Sequence, residues 1–364
     1  MTRRDLLSAL PFSSAAFAFQ AAKQAQTPGA KGRKKLPPSL GEFVAMVDPA
    51  TENLVIRLTN PTYTSINPPP QNLHVSSKSR FLLYGSDRMG AMSPYHLDLK
   101  TASVRQLADA KAFRPDTLAM DLEERTCFYV DGEALQQVNL GNLKARTLAD
   151  DVSDFHMNGS GNTLVVLRRG KLERLDSDHG TILADNVASR GIVNPAGSNV
   201  CFAREEGASG TSLWRVAAEG GAPVLLAKGA VSCPFWNPDS GSLLFLRQMQ
   251  GDRGMTTQLR EVSLDGRDEG TVAQTSQFIS FAPNADGSVF IGASRSKAQP
   301  HIVLMLRSPR REMTLCEHHS SHPDMVRPVF SPNSRRVYFA SDRHGKSALY
   351  VVNVELLVEP TEGS

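Results

Sequence analysis

The sequence lacks the features that define several common protein classes. Four cysteines in 364 residues are too few for a disulfide scaffold, and none lies in a Cys-x-x-Cys metal pair. No window approaches 18 consecutive apolar residues, so we expect no transmembrane helix. Long stretches of helical periodicity are missing as well, which indicates a chain without long helices.

Motifs of several enzyme classes are also absent. The sequence contains no GxSxG elbow, no P-loop, no HExxH pair and no EF-hand loop. It therefore gives no support to a serine hydrolase, a nucleotide-binding protein or a zinc protease.

Positive charge is concentrated at the N-terminus. Residues 1–35 contain seven of the 40 Lys and Arg residues and one of the 37 Asp and Glu residues. The rest of the chain has 33 positive against 36 negative side chains. Because the body has no excess of basic residues, we expect no nucleic-acid partner.

The N-terminal segment has the pattern of an export signal. Arg3 and Arg4 precede a mildly apolar run that extends to Phe19. Paired arginines before such a run are typical of a twin-arginine signal, which exports folded proteins. We therefore predict a signal peptide in residues 1–25, a flexible linker in 26–41 and a periplasmic or secreted protein. The alternative is a cytoplasmic protein with a basic tail.

A turn signature recurs along the body of the chain. Four copies begin at Asn194, Asn237, Asn284 and Ser331, with spacings of 43, 47 and 47 residues, and each precedes a β-rich run. Proline at the second turn position, with Asn, Asp or Gly after it, bends the chain between strands. Four short strands every 40–47 residues is the period of a propeller blade. Three weaker copies begin at Ser76, Asp121 and Asn158.

Seven copies predict an all-β fold, a seven-bladed β-propeller over residues 42–357, followed by a tail at 358–364. The last copy, Val329–Val354, supplies only about three strands. Phe43–Asp48 and Leu54–Thr59 can supply the missing outer strands, so we expect the ring to be closed by an N-terminal strand. A pair of β-sandwiches is the alternative, but it does not explain a constant turn signature.

The densest group of chemically reactive side chains precedes the last copy. Three of the nine histidines, His318, His319 and His322, fall within five residues, and Asp324 follows. In a propeller this segment lies at the mouth of the central channel. Imidazoles and a carboxylate that converge in a loop can hold a divalent cation, and histidine also serves acid–base catalysis. The alternative is an exposed histidine-rich loop without metal.

Four segments carry a resemblance to a known family. They are Asp48-Pro49-Ala50-Thr51 with Val55–Thr59, Cys233–Asp239, Ser276–Ser288 and Phe330–Tyr350. These segments resemble the oligogalacturonate lyase family, and the similarity extends over residues 42–354. The family is a group of seven-bladed propellers that cleave short pectin fragments by β-elimination. The resemblance implies an acidic oligosaccharide substrate and a divalent metal such as Mn²⁺, which holds the uronate carboxylate while a histidine removes the C5 proton.

The resemblance also assigns site residues, with substitutions. The family's base position falls on Cys233, and the metal positions fall on His319, His322 and Gln277, with His322 also a catalytic candidate. Arg327 occupies a further ligand position, where it would bind a uronate carboxylate directly. Cys233 would serve as a base only if a neighbouring cation lowered the pKa of its thiol; the alternative is a small buried residue.

Two further residues are candidates for substrate binding. Arg88 lies in the predicted hairpin turn Ser86–Gly90, where a structural role is the alternative. His74 is expected to open the first inner strand, where it either faces the channel or packs. The whole pattern predicts an exported oligogalacturonate lyase-like protein. The alternative is a non-catalytic, TolB-like propeller that binds a protein or glycan partner.

Overall fold

A computed structural model describes residues 42–176, 180–207, 210–251, 254–275, 278–355 and 357–358. The predicted signal peptide, the linker and most of the tail lie outside these residues. Among the described residues no helix is long and apolar enough to cross a membrane. Two short 3-10 helices are described, Pro115–Thr117 and Pro323–Met325.

The described residues form 29 strands in seven antiparallel sheets. In chain order the strands are β1 Val44–Val47, β2 Leu54–Arg57, β3 Ser65–Ile66, β4 Phe81–Ser86, β5 Ser93–Asp98, β6 Val104–Gln106, β7 Ala119–Met120, β8 Thr126–Asp131, β9 Ala134–Asn139, β10 Ala145–Ala149, β11 Asp154–Met157, β12 Leu164–Arg168, β13 Lys171–Leu175, β14 Gly180–Ala184, β15 Ile192–Val193, β16 Asn199–Glu205, β17 Thr211–Ala217, β18 Val224–Gly229, β19 Val231–Trp236, β20 Ser242–Gly251, β21 Gly254–Ser263, β22 Glu269–Thr275, β23 Phe278–Pro283, β24 Val289–Ser294, β25 His301–Leu306, β26 Arg311–Glu317, β27 Val329–Phe330, β28 Arg336–Ser341 and β29 Ala348–Asn353.

The sheets are the blades of a seven-bladed β-propeller, as predicted. Blades 1 to 6 take four consecutive strands each, from β3–β6 in blade 1 to β23–β26 in blade 6. Blade 7 has five strands in the order β1-β2-β29-β28-β27. The N-terminal β2 pairs with β29, with Val55 opposite Val352, so the ring is closed by N-terminal strands. Val55 and Val352 are buried in the core between blades 6 and 7.

The recurring turn has the same hydrogen bond in all seven blades. The backbone N–H of its first residue donates to the carbonyl five residues later, as from Asn194 to Asn199 at 2.9 Å. In blade 4 the Asn194 side-chain oxygen also accepts the backbone N–H of Asn199, at 2.9 Å. An Asn, Asp or Ser side chain therefore fixes the turn between the inner strand and the next, which explains why the signature repeats.

Blade 1 differs from the expectation that His74 opens its inner strand. The strand begins earlier, at Ser65–Ile66, leaves the sheet at Asn67 and returns at His74, whose carbonyl accepts the backbone N–H of Leu83 at 2.8 Å. The three prolines at 68–70 have no backbone N–H and cannot continue the ladder. The resulting insertion, residues 67–73, is called here the axial loop.

Candidate site at the channel mouth

The axial loop extends from blade 1 across the central channel. The Gln71 carbonyl accepts a hydrogen bond from Nε2 of His156 in blade 3, at 3.1 Å. The Gln71 side-chain amide donates to the Pro234 carbonyl in blade 5, at 3.0 Å. Since these partners belong to non-adjacent blades, the loop connects opposite walls of the channel below its mouth.

Asn72 of the axial loop links two further blades. Its amide nitrogen donates to the carbonyls of Asp116 and Leu118 in blade 2, at 3.1 and 2.9 Å. Its side-chain oxygen accepts a hydrogen bond from Nη1 of Arg190, at 3.0 Å. Arg190 lies two residues before the inner strand of blade 4. The loop therefore positions charged side chains at the mouth.

Arg327 and Asp116 form an ion pair between blades 7 and 2. Nη1 of Arg327 lies 2.6 Å from Oδ1 of Asp116 and also donates to the Asn67 carbonyl at 3.1 Å. Burial raises the pKa of Asp116, but the hydrogen bond and charge of Arg327 outweigh it, so the net pKa lies below its ordinary value. We call this the closed pair, because each charge has its partner.

Asp154 and Arg190 lie on the neighbouring blades 3 and 4, and their inner strands β11 and β15 pack together. Their charges interact, but no ion pair within 4.0 Å joins them. Nη1 of Arg190 donates only to uncharged oxygens, the Asn72 side chain and the Asp116 carbonyl. Among the described residues Nε and Nη2 of Arg190 have no hydrogen-bond partner. We call Asp154 and Arg190 the open pair.

Burial disfavours the charged form of both side chains in the open pair, as the shifts of their pKa values indicate. Burial lowers the pKa of the Arg190 guanidinium, although the carboxylates of Asp154 and Asp116 oppose the shift. Burial raises the pKa of the Asp154 carboxyl, although the charges of Arg190 and Arg114 oppose it. Oδ1 of Asp154 accepts the Phe155 backbone N–H at 2.8 Å, and Oδ2 has no partner among the described residues.

His74 lies beside the closed pair. Its Nδ1–H donates to the Asn72 carbonyl at 2.7 Å, and Nε2 is buried without a partner in the described part of the chain. Burial lowers the pKa of His74 to about 4, and the charge of Arg327 lowers it further, so the ring is neutral at pH 7. The structure thus brings together His74 and Arg327, both predicted to bind substrate.

Cys233 lies in a β-bulge of blade 5. Its backbone has a φ of 49°, and its Sγ donates to the Ile279 carbonyl of blade 6 at 3.0 Å. Burial raises the pKa of the thiol to about 11; a hydrogen bond with Ser232 and the charge of Arg295 lower it only in part. A thiolate base needs the opposite shift. The surroundings of Cys233 therefore hold a neutral thiol that bridges two blades.

Two of the three residues predicted to bind metal, His319 and His322, lie in the loop between blades 6 and 7. Nε2 of His319 is 2.8 Å from Glu317, and His322 is exposed at the start of the 3-10 helix Pro323–Met325. Gln277 lies outside the described residues. Among those that are described, no three His, Cys, Asp or Glu side chains converge as a metal site. The described donors therefore do not form a metal site, and we derive no step through one.

Arg88 lies in the predicted hairpin turn, away from these groups. Nη1 and Nη2 bind the Glu42 carboxylate at 3.1 and 2.7 Å, and the guanidinium lies 5.1 Å from the centre of the Tyr63 ring. Only 13% of the Arg88 side chain is exposed. These contacts tie the N-terminal strand segment to blade 1, which is a structural role.

Sequence reasoning missed Asp116, Asp154 and Arg190, although the repeat contains a signal for two of them. The signal is the residue four positions before the first residue of each recurring turn. This residue lies either in an inner strand or up to two residues before the inner strand begins or, in blade 1, returns to the sheet. The resemblance identified only Cys233 and Arg327 among these positions. The seven residues at this position are Asn72, Thr117, Asp154, Arg190, Cys233, Ser280 and Arg327.

No family model and no curated protein matches this chain. Solved structures do. An oligogalacturonate lyase in complex with manganese has a TM-score of 0.79 at 19% identity, over 87% of this chain and 97% of that one. The oligogalacturonate lyase of Vibrio parahaemolyticus has a TM-score of 0.78 at 21% identity, over 86% and 97%.

A further solved structure matches less well. Kuenenia stuttgartiensis hydrazine synthase has a TM-score of 0.57 at 13% identity, over 78% of this chain and 95% of that one. Its score is well below those of the two lyases, whose likeness extends over nearly their whole length. The chain therefore has the seven-bladed propeller fold of the solved oligogalacturonate lyases.

Proposed function

We propose that this chain is an oligogalacturonate lyase-like protein that binds short uronic acid oligosaccharides at the channel mouth and cleaves them by β-elimination. The observation that supports this proposal most strongly is the unpaired edge of Arg190. A guanidinium with two unpartnered N–H groups, and no carboxylate within ion-pair distance, matches a carboxylate ligand.

The charge of the mouth also favours an acidic ligand. Three arginines, Arg114, Arg190 and Arg327, interact electrostatically with two aspartates there, Asp116 and Asp154. The surplus positive charge is on the Arg190 side, because Arg327 is neutralised within the closed pair. We assign to Arg190 the carboxylate contact that the family resemblance assigns to Arg327.

Binding by Arg190 prepares the sugar for elimination. The C5–H of a uronate is adjacent to its carboxylate, so removing that proton places negative charge on the carboxylate oxygens. A guanidinium that is already hydrogen-bonded to those oxygens stabilises the developing charge with little reorganisation. The 4-linked neighbour then leaves, and an unsaturated uronate remains.

The test is to incubate the purified protein with oligogalacturonides, with and without Mn²⁺, and to follow the ultraviolet absorbance of an unsaturated uronate. Neutral oligosaccharides of the same length are the control for the carboxylate requirement. Calorimetry with the same ligands measures binding independently. Absorbance that appears only with uronides supports the proposal; neither binding nor absorbance with any uronide contradicts it.

A non-catalytic propeller that binds an acidic glycan is the second candidate, and Cys233 is the observation in its favour. The family's base position here contains a neutral thiol whose pKa is raised. This candidate predicts calorimetric binding of oligogalacturonides without absorbance, with or without Mn²⁺. Within the lyase proposal, His322→Ala tests the histidine loop, because an unchanged rate would remove that loop from the mechanism.

We also propose that the protein is exported in its folded state. Arg3 and Arg4 before an apolar run support this, although they lie outside the described residues. Replacing both by lysine is expected to leave the protein in the cytoplasmic fraction, whereas replacing Lys34 and Lys35 by arginine is not. Equal fractionation of the two variants would contradict a twin-arginine signal.

A further inference from the structure

We propose that Asp154 is the base that removes the C5 proton, in place of the residue at the family's base position. This inference rests on the proposed function, because it concerns the same site. It starts from the open pair, in which two guanidinium nitrogens of Arg190 and one carboxylate oxygen of Asp154 have no hydrogen-bond partner among the described residues, and no ion pair within 4.0 Å joins the two side chains.

The separation within the open pair is the first argument. Asp154 and Arg190 are near enough for their charges to interact, but they do not close to 4.0 Å. Asn72 and the Asp116 carbonyl hold Arg190 back through its Nη1, and the Phe155 backbone N–H holds Oδ1 of Asp154. Each side chain is thus bonded to groups other than the opposite member of the pair, and its unpartnered atoms are suited to a ligand group with one charged and one acidic atom.

A uronate supplies those two atoms in adjacent positions. Its carboxylate fits the Nε and Nη2 edge of Arg190, and its C5–H, one bond from the carboxyl carbon, is then directed toward the unpartnered Oδ2 of Asp154. A base must lie within hydrogen-bond reach of the proton that it takes. Asp154 begins β11, and Arg190 lies two residues before β15, the inner strand that packs against β11.

The surroundings of Asp154 also suit a base. Burial raises the pKa of its carboxyl above the ordinary value, which makes the carboxylate a stronger base than an exposed aspartate. The charged groups that face it are Arg190, Arg114 and Asp116; His156 on the same strand has a pKa of about 3, mainly because of burial, and is neutral. By contrast, Asp116 is ion-paired, and the thiol of Cys233 is protonated.

The step balances as a β-elimination. Oδ2 of Asp154 takes the C5 proton, and the C–H electron pair becomes the C4=C5 double bond. The bond from C4 to the glycosidic oxygen breaks, and its pair leaves with that oxygen, which takes a proton from water. The hydroxide formed takes the proton back from Asp154, so no oxidant, reductant or additional reactant is needed.

The test compares Asp154→Asn with Asp151→Asn in oligogalacturonide cleavage and in calorimetric binding. Asn keeps the shape and the Oδ1 contact with Phe155, so Asp154→Asn is expected to lower kcat by about 10²–10⁴-fold while affinity changes by less than about threefold. Asp151 is an exposed partner of Arg169 in the same region, and its variant is expected to match the unsubstituted protein.

The outcomes separate the two proposals. If Asp154→Asn cleaves at the unsubstituted rate, Asp154 is not the base, and the lyase proposal stands. If the unsubstituted protein binds uronides but never cleaves them, elimination and the role of Asp154 both fail, and glycan binding remains. A large loss of rate with unchanged binding supports Asp154, and an acid limb in the pH profile of kcat that disappears in the residual rate of Asp154→Asn supports it further.

Discussion

The two arginine–aspartate pairs at the channel mouth are built from the same residue types but differ in one distance. In the closed pair, Arg327 and Asp116 are in contact at 2.6 Å. In the open pair, Arg190 and Asp154 are not within ion-pair distance, and each keeps an unpartnered polar edge among the described residues. The first pair satisfies its charges internally, whereas the second leaves them available to a ligand.

The axial loop explains the difference. The Asn67 carbonyl of the loop accepts a hydrogen bond from Nη1 of Arg327, which directs the guanidinium toward Asp116. The Asn72 side-chain oxygen of the loop accepts a hydrogen bond from Nη1 of Arg190, which keeps that guanidinium away from Asp154. The axial loop, an insertion in one blade, thus positions charged side chains that belong to four other blades. Variants of either pair or of the loop test this account.

The largest effect is expected from Arg190→Ala. The variant removes a charge-assisted contact to the ligand carboxylate, so oligogalacturonide affinity is expected to fall about 100-fold. The matched control is the double variant Arg327→Ala/Asp116→Ala, which removes the closed pair without changing net charge and is expected to weaken affinity less than about fivefold. Calorimetry measures both. Equal losses in the two variants would contradict the distinction between an open and a closed pair.

A smaller effect is expected from Asn72→Ala. The variant removes one of the two contacts of Nη1 of Arg190 and leaves only the Asp116 carbonyl. The guanidinium keeps its charge but is held less firmly away from Asp154, so affinity is expected to fall about tenfold. Gln71→Ala is the control, because it removes the hydrogen bond to the Pro234 carbonyl but does not touch Arg190. If calorimetry shows the same affinity for both variants, the loop stabilises the ring without positioning Arg190.

The fold was predictable from the sequence because the turns that define the blades are specified by residues close to one another in the chain. Each recurring turn is stabilised by its own side chain, as when the Ser331 hydroxyl accepts the Arg336 backbone N–H at 3.0 Å. The two N-terminal strands of blade 7 followed from a last copy that had too few strands. The axial loop was not predicted, since three prolines indicate an irregular segment but do not show where it leads.

The site was predictable only in part. The resemblance points only to residues at the family's site positions, which include Cys233 and Arg327. It does not point to Asp154 or Arg190, which lie four residues before the recurring turn in other repeats, as Cys233 and Arg327 do in theirs. The contact between Arg327 and Asp116 joins residues 211 positions apart, and no local pattern specifies it. Whether an arginine is paired or free depends on such distant contacts, which is why the sequence did not separate the two arginines.

The smallest effect is on stability, and it is expected to have opposite signs in the two aspartates. The folded-state pKa of Asp154 is raised by burial, so ionising it opposes folding as the pH rises through that pKa. Asp154→Asn is therefore expected to be more stable than the unsubstituted protein at pH 7. Below pH ~4 the carboxyl is protonated in both the folded and unfolded states, and the difference is expected to vanish.

Asp116→Asn is the matched opposite. The net pKa of Asp116 is lowered, because the Arg327 contact outweighs burial, so its stabilisation is present above the ordinary pKa and is lost as the pH falls through the folded value. The variant is expected to lose about 1 kcal/mol at pH 7, since the Asp116 side chain is 55% exposed and water screens the pair. Urea unfolding at pH 7 and at low pH measures both variants. If the free energy of unfolding changed with the same sign in both variants, the two aspartates would have the same electrostatic environment. That result would contradict the distinction between the open and the closed pair.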